Sequence, residues 1–287
     1  MESSEKNSKM TRRINFRKIT LIISLSILSI SFLAAFFAPW IAFYPPDEFS
    51  GSPLERPGAT HLLGTNDLGQ DLFSRLVYGT RATLIIGFLG ALVSGVIATG
   101  IGMLAGYYGG FLDECICRFI DVIMTVPTFP LLLVLSIFLN PGIYTLSFLM
   151  GVLGGTHGIR VIRSQVLSLS ESNFIYGTRA LGVGDFYIIL VHVFPNILPL
   201  VLVQLVFSAQ KYMLMGVGLG FLGIVDPSVI DWGQMINRAY SSGGFALGLW
   251  WWLLPPGLSV TVLSVSFALF GYSFEEKINP RLEGVFL

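Results

Sequence analysis

Gly218-x-Gly220-x-x-Gly223 has the glycine spacing of a dinucleotide-binding turn, a chemistry that needs a strand before the motif and a helix after it. Here a long apolar run precedes the glycines and a polar loop follows, so they read as residues that let helices pack closely. His61, His157 and His192 are far apart and lack the spacing of a metal site. Cys115 and Cys117 form a lone C-x-C with no second pair, which points to neither a disulfide framework nor a zinc site. No Ser/His/Asp, HExxH or paired-carboxylate arrangement stands out, and no GxxxxGK[ST] occurs. The chain is therefore expected to catalyse nothing and to bind no cofactor; any ATP it depends on would sit on another subunit.

Two places remain where residue type and position carry information. Lys211 is a charge inside an apolar run, about fourteen residues from its start and so near mid-depth at about 1.5 Å per residue. Centring a lysine in a bilayer costs roughly 2.5–3.5 kcal/mol, so such residues face protein or water. Either Lys211 lines a translocation pathway and attracts a carboxylate, or it snorkels or pairs between helices beside Gln204 and Gln210. The second place is Glu171–Asn196, the longest polar interruption in the second half of the chain. Its Phe174, Ala180, Leu181, Phe186 and Ile189 would line one side of a short helix broken by Gly182 and Gly184. Such a helix would present Arg179 and Asp185 to a partner and lay its apolar side in a groove. The alternative is a solvated loop with no partner.

The elements that must position these residues follow from composition and charge. Of 287 residues, 53% are hydrophobic and 12% charged, with mean hydropathy +0.74. A soluble domain carries about 25% charged residues. Zero formal net charge lacks the basic excess of a nucleic-acid binder. An integral membrane protein is expected, all-α, with six transmembrane helices. The uncharged runs place spans at Thr20–Tyr44, Ala82–Leu112, a third ending at Leu139, a fourth from Ile143, a fifth over Ile197–Leu222 and a sixth over Leu247–Tyr272. Asn140-Pro141-Gly142 supplies the turn between the third and fourth. Gly102, Gly106 and Gly110, four residues apart, would let a neighbouring helix approach the second. Twelve basic residues fall on the side of the tails and the second and fourth loops, against four on the other side. The positive-inside rule then puts both termini and Glu171–Asn196 in the cytoplasm of a cell whose plasma or inner membrane holds the protein.

Arg179-Ala180-Leu181-Gly182-x-x-Asp185, followed by Ile188-Ile189 and Pro195-Asn196, resembles the cytoplasmic EAA loop of binding-protein-dependent ABC importer permeases. The chain as a whole resembles the C-type permease subunit of the oligopeptide/dipeptide/nickel importers. His61-x-x-Gly64-Thr65-x-Asp67-x-x-Gly69-x-Asp71-x-x-Ser74-Arg75, with Gly79-x-Arg81, matches that family's segment before the second span. Arg118-x-x-Asp121 with Pro127, Leu219-x-Phe221-Leu222-Gly223, Trp232-Gly233-x-Met235 and Asn279-Pro280-Arg281-Leu282 match in order along the rest.

This resemblance implies the type I ABC importer permease fold. It implies a tail, first helix and external loop over 1–81, a five-helix core over 82–274 with a coupling loop at 164–195, and a tail over 275–287. It implies partners as well: a second homologous permease subunit, two ATP-binding subunits holding ATP and magnesium, and an extracytoplasmic solute-binding protein. The ATPase contact falls on Tyr176, Gly177, Thr178, Arg179, Ala180, Leu181, Gly182 and Asp185. The cargo implied is a di- or oligopeptide, with nickel or a metal chelate as the alternative; a stand-alone secondary transporter would want inverted repeats, which are not found here. Two positions depart from the family. Its Glu-Ala-Ala falls on Tyr176-Gly177-Thr178, and an acidic residue late in its fifth span falls on Gly216.

Overall fold

The computed structural model describes residues 2–139 and 141–278, with side chains over 18–275. The turn residue Asn140 and the terminal Asn279-Pro280-Arg281-Leu282 match lie outside the described residues. The protein is 76% helical, with no strand among the described residues. In chain order the helices are α1 (Glu2–Phe36), α2 (Ala38–Ile41), α3 (Leu72–Tyr108), α4 (Gly110–Met124), α5 (Thr128–Leu139), α6 (Ile143–Ser170), α7 (Asn173–Ala180) and α8 (Asp185–Tyr187). A π-helical stretch, Ile188–Val193, then leads into α9 (Phe194–Phe221), α10 (Trp232–Ser241) and α11 (Trp250–Ile278). Five helical segments are long and apolar enough to cross a membrane, and the count becomes six if α4 and α5 form one bent span.

Several expected boundaries move, each for a local reason. The second span begins at Leu72, ten residues before Ala82, because Asp71 accepts the Ser74 N–H at 2.7 Å and starts the helix there. Arg75, which reads as a loop charge, lies inside α3 and is buried by bonds to the Pro46 carbonyl, Asp47 and Gln70. The same helix stops at Tyr108 because Gly109 and Gly110 turn with φ of 61° and 57°, so Gly110 belongs to the corner and not to a packing stripe. Gly102 and Gly106 do pack: a Cβ there would sit 2.8 Å from Ile162 and 2.6 Å from the Arg163 carbonyl of α6. The stretch expected as the third span is not one straight helix. It bends by 72° between α4 and α5, where Pro127 removes a backbone donor. Arg160 and Arg163 also fall inside α6, held by Asp121 and Asp113 of α4.

The chain divides into two compact units. One comprises Met1–Leu84, Gly220–Gly223 and Ile230–Leu287, the other Ile85–Leu219 and Ile224–Val229. In the first, α1 packs along α11, and α10 rests on both α11 and the start of α3, where Trp232 Nε1 donates to the Leu76 carbonyl at 3.0 Å. The segment before α3 is tied by side chains. His61 Nδ1 lies 2.9 Å from Asp71 Oδ1, Asn66 Nδ2 donates to Gln70 at 2.8 Å, and Arg75 donates to the same Gln70 oxygen at 2.8 Å. These are the residues of the motif around His61, and nearly all are buried. The motif's role within the chain is to knot an irregular segment whose backbone has no sheet or helix to satisfy it.

In the second unit, glycines on one face of α6 bring it against α3. A Cβ on Gly151 would meet Val93 at 2.6 Å, and one on Gly158 would meet Ala98 at 2.8 Å. The core at one end of this unit gathers Tyr107, Ile162, Val166, Ile175, Ile188, Ile189, Val193, Ile197 and Val201. Residues of α3, α6, α7, the π stretch and α9 therefore share one apolar cluster, and the polar stretch of the sequence is anchored in it.

Candidate functional site

Glu171–Asn196 folds as α7, α8 and the π stretch, with the helix interrupted at Gly182 and Gly184, the two glycines expected to break it. The first piece, α7, follows the extended residue Ser172 and ends where Gly182 takes φ +80°, its N–H bonding the Arg179 carbonyl at 2.9 Å. The second, α8, starts after the extended Gly184 and runs without a break through the π stretch into α9. The fifth span accordingly begins at Asp185, well before Ile197. Pro195 explains the π stretch, since it offers no N–H to the carbonyl four residues back and the ladder ahead of it lengthens by one residue. The Phe194 N–H reaches the Ile189 carbonyl, and Asn196 Nδ2 donates to the His192 carbonyl at 2.6 Å.

This break sorts the apolar residues into two sets. Ile175 is fully buried and Ile189 nearly so, and both belong to the core cluster. Phe174, Tyr176, Leu181, Phe186 and Tyr187 stay exposed, Leu181 at 84% and Phe186 at 76%. Burying Ile175 fixes the piece in place, and the outward residues form an apolar projection on a rigid base. Phe174 and Tyr187 flank the His192 ring at centroid distances of 5.1 and 5.8 Å.

Arg179 and Asp185 do not point only at a partner, as expected from the sequence. They close the turn between α7 and α8 on Tyr107, the penultimate residue of α3. The Tyr107 hydroxyl donates to Asp185 at 2.6 Å, Arg179 Nε donates to that hydroxyl at 3.2 Å, and the guanidinium lies 4.4 Å from the Tyr107 ring centre. Arg179 and Asp185 themselves are 3.8 Å apart. Sequence reasoning missed Tyr107, which lies 72 positions from Arg179. Tyr176, Gly177 and Thr178 sit on α7, with Thr178 bonding only within the helix, to the Phe174 carbonyl at 2.9 Å. A side chain on Gly177 would meet open space.

The second unit also contains a cavity of about 220 Å³ between α3, α6 and α9. Lys211, Gln204 and Ser208 of α9, His157 of α6 and Ser94 of α3 line it, and Gln210 does not. Tyr212 closes one wall with its hydroxyl donating to Ser94 at 2.9 Å, against the bare backbone of Gly154. Lys211 has its ammonium 5.9 Å from the Tyr212 ring centre. Among the described residues no carboxylate pairs with it, and no group of three His, Cys, Asp or Glu side chains is placed to hold a metal ion. At the far end of α9, Gly218 and Gly220 are helical and face Phe129 and Asp231, so the glycine motif has no strand before it.

Residues 98–284 match the family described as "Binding-protein-dependent transport system inner membrane component". The chain is 31% identical over 264 residues to a dipeptide transport system permease protein of Alkalihalophilus pseudofirmus, covering 91% of this chain and 86% of that one. It is 30% identical over 270 residues to the protein of the same name in Haemophilus influenzae, with 91% and 90% covered. To a probable D,D-dipeptide transport system permease protein of Escherichia coli it is 27% identical over 266 residues, with 92% and 88% covered. Helices long enough to cross a bilayer, a helical core bearing a projecting loop, and a match across most of its length make this chain a member of the binding-protein-dependent transport system inner membrane component family, a multi-pass permease of the cell membrane.

Proposed function

We propose that this chain is one of two permease subunits of an ATP-driven importer for di- or oligopeptides, and that α7 with its flanks is the surface through which an ATP-binding subunit drives it. The peptide cargo rests on the printed names of its relatives, several of which are dipeptide or peptide transport permeases. The coupling role rests on one observation: α7 is anchored by Ile175 in a core shared with α3, α6 and α9, while Leu181 and Phe186 project outward. A push on the projection is thereby transmitted to three membrane helices, because a packed core moves as a body and does not absorb the displacement. ATP-driven closure of the nucleotide-binding pair would displace α7, and the spans would rock to expose the pathway on alternate sides. ATP and magnesium stay on the partner subunits, and an extracytoplasmic binding protein delivers the peptide. The cavity around Lys211 and Gln204 is this subunit's share of the pathway; Gln210 lies beside it on the same helix.

Leu181→Asp tests the coupling role, because it changes an exposed side chain and leaves the core intact. The variant is expected to reach the membrane at the normal level and to lose ATP-dependent dipeptide uptake in vesicles containing the complete transporter. Undiminished uptake would refute the docking assignment. Dipeptide accumulation that proceeds with the ATP-binding subunits left out would refute the importer assignment itself.

A further inference from the structure

We infer that the cavity between α3, α6 and α9 is an anion subsite in which Lys211 receives the carboxylate of the transported solute. This inference rests on the proposed pathway role of that cavity. Lys211 lies in the middle of the apolar α9, where a cation needs a partner or water. Among the described residues it has no carboxylate partner, and its ammonium lies over the Tyr212 ring, 5.9 Å from the ring centre. Around it the lining is built of donors and neutral polar groups: Gln204, Ser208, Ser94 and His157. No acidic side chain lines the cavity, so its one permanent charge is positive. Gly154, Gly158 and Gly95 supply the room by carrying no side chains where α6 and α3 face α9. A site with an unneutralised ammonium, a side-chain amide and hydroxyls suits a carboxylate accepting charge-assisted hydrogen bonds. It does not suit a free divalent cation, which the same lysine would repel. Peptides carry a C-terminal carboxylate regardless of sequence, so a subsite for that group would serve cargo of varied side chains.

Val161 lines the same cavity and is partly exposed, so a thiol placed there reports on the field inside it. Val161→Cys is made with Cys115 and Cys117 replaced by serine, in the complete transporter in membranes. Its rates of reaction with an anionic and a cationic methanethiosulfonate are compared before and after Lys211→Gln. A neighbouring unit charge attracts one reagent and repels the other, so removing it should lower the anionic-to-cationic rate ratio about tenfold. Lys211→Arg should retain the ratio. L-alanyl-L-alanine should slow the anionic reagent, and its C-terminal amide at equal concentration should not. An unchanged ratio after Lys211→Gln, equal protection by acid and amide, or a thiol that neither reagent reaches would overturn the inference. Failure of the pathway role has a different signature: bulky modification at Val161→Cys would leave ATP-driven uptake intact even where the charge preference holds.

Discussion

Asp231 is a carboxylate that the fold holds against its ordinary chemistry. It caps α10, accepting the Gln234 N–H at 3.1 Å, but it is 1% exposed and its second oxygen has no hydrogen-bond partner. It lies against the bare backbone of Gly220, where a Cβ would approach within 2.5 Å. Burial raises its pKa from 3.8 to about 7, with the N–H groups of Gln234 and Gly233 opposing the rise. Below pH 4 the carboxyl is protonated in both folded and unfolded chains and burial carries no ionisation penalty. Between about pH 4 and 7 the unfolded chain releases the proton while the folded chain keeps it, so stability falls across that window and levels off once the folded carboxyl ionises too. Hydrogen-exchange protection of α10, corrected for the intrinsic pH dependence of amide exchange, is expected to fall between about pH 4 and 7 and to level off above that. Asp231→Asn, which keeps the cap, should remove most of that dependence; an equal slope in the variant would show that another group titrates.

At the same scale, Tyr107, Arg179 and Asp185 form one network, and their removal should not be additive. A cation–π contact and a charged hydrogen bond are each worth about 1–2 kcal/mol where partly shielded from water. Tyr107→Phe removes the hydroxyl bridging both partners, and Arg179→Gln removes the ion pair and the ring contact. Each alone is expected to loosen α7, read as faster hydrogen exchange over 173–181 and less uptake per ATP hydrolysed. The double variant should be little worse than the poorer single one. Fully additive losses would mean that the two side chains act separately. The tyrosine at 176, where the family carries its acidic residue, has no role in this network. It stands exposed on α7, so the ion pair that steadies the turn comes from inside the chain.

Elements in this protein are set by where the backbone ladder is allowed to continue. Pro195 converts six residues before α9 to π geometry, and α8 with its exposed Phe186 runs through that widened turn into α9. Pro195→Ala restores the missing donor and should let the α-helical register return. The expected result is unchanged helix content by circular dichroism with impaired coupling of ATP hydrolysis to uptake. Normal coupling would make the π stretch incidental. The bend between α4 and α5 belongs to the same scale. There the charged α4 is fastened to α6 by two ion pairs, Asp113 with Arg163 and Asp121 with Arg160, so α4 is held as a bracket and need not be apolar all round.

For the whole molecule, orientation is an electrostatic argument from the sequence, and it has a direct test. We propose from the bias of basic residues in the sequence that α7 and the tails are cytoplasmic and that the segment around His61 is extracytoplasmic. A cysteine at Arg56 in intact cells should react with a membrane-impermeant thiol reagent, and one at Phe174 should react only after the membrane is opened. The reverse pattern would invert the topology and with it the assignment of α7 to the ATPase side.

Composition, the uncharged runs and the order of motifs were enough to read a multi-pass helical permease and to point at Glu171–Asn196. Those properties are additive along the chain: each apolar residue lowers the cost of crossing a bilayer whatever its neighbours do. Some helix ends lie beyond the uncharged runs because a charge is paired with a distant partner. Arg75 reads as loop until Gln70 and the Pro46 carbonyl enclose it, and Arg160 and Arg163 read as loop until Asp121 and Asp113 meet them. The candidate site divides in the same way. The sequence alone determined that Arg179, Leu181, Gly182 and Lys211 are unusual where they stand, because that judgement needs only local polarity. Only the tertiary structure decided that Ile175 anchors and Leu181 projects, that Tyr107 joins Arg179 to Asp185, and that Lys211 shares a cavity with His157 and Ser94. Each of those depends on the meeting of helices far apart in the chain, and neither hydropathy nor spacing records which helices meet.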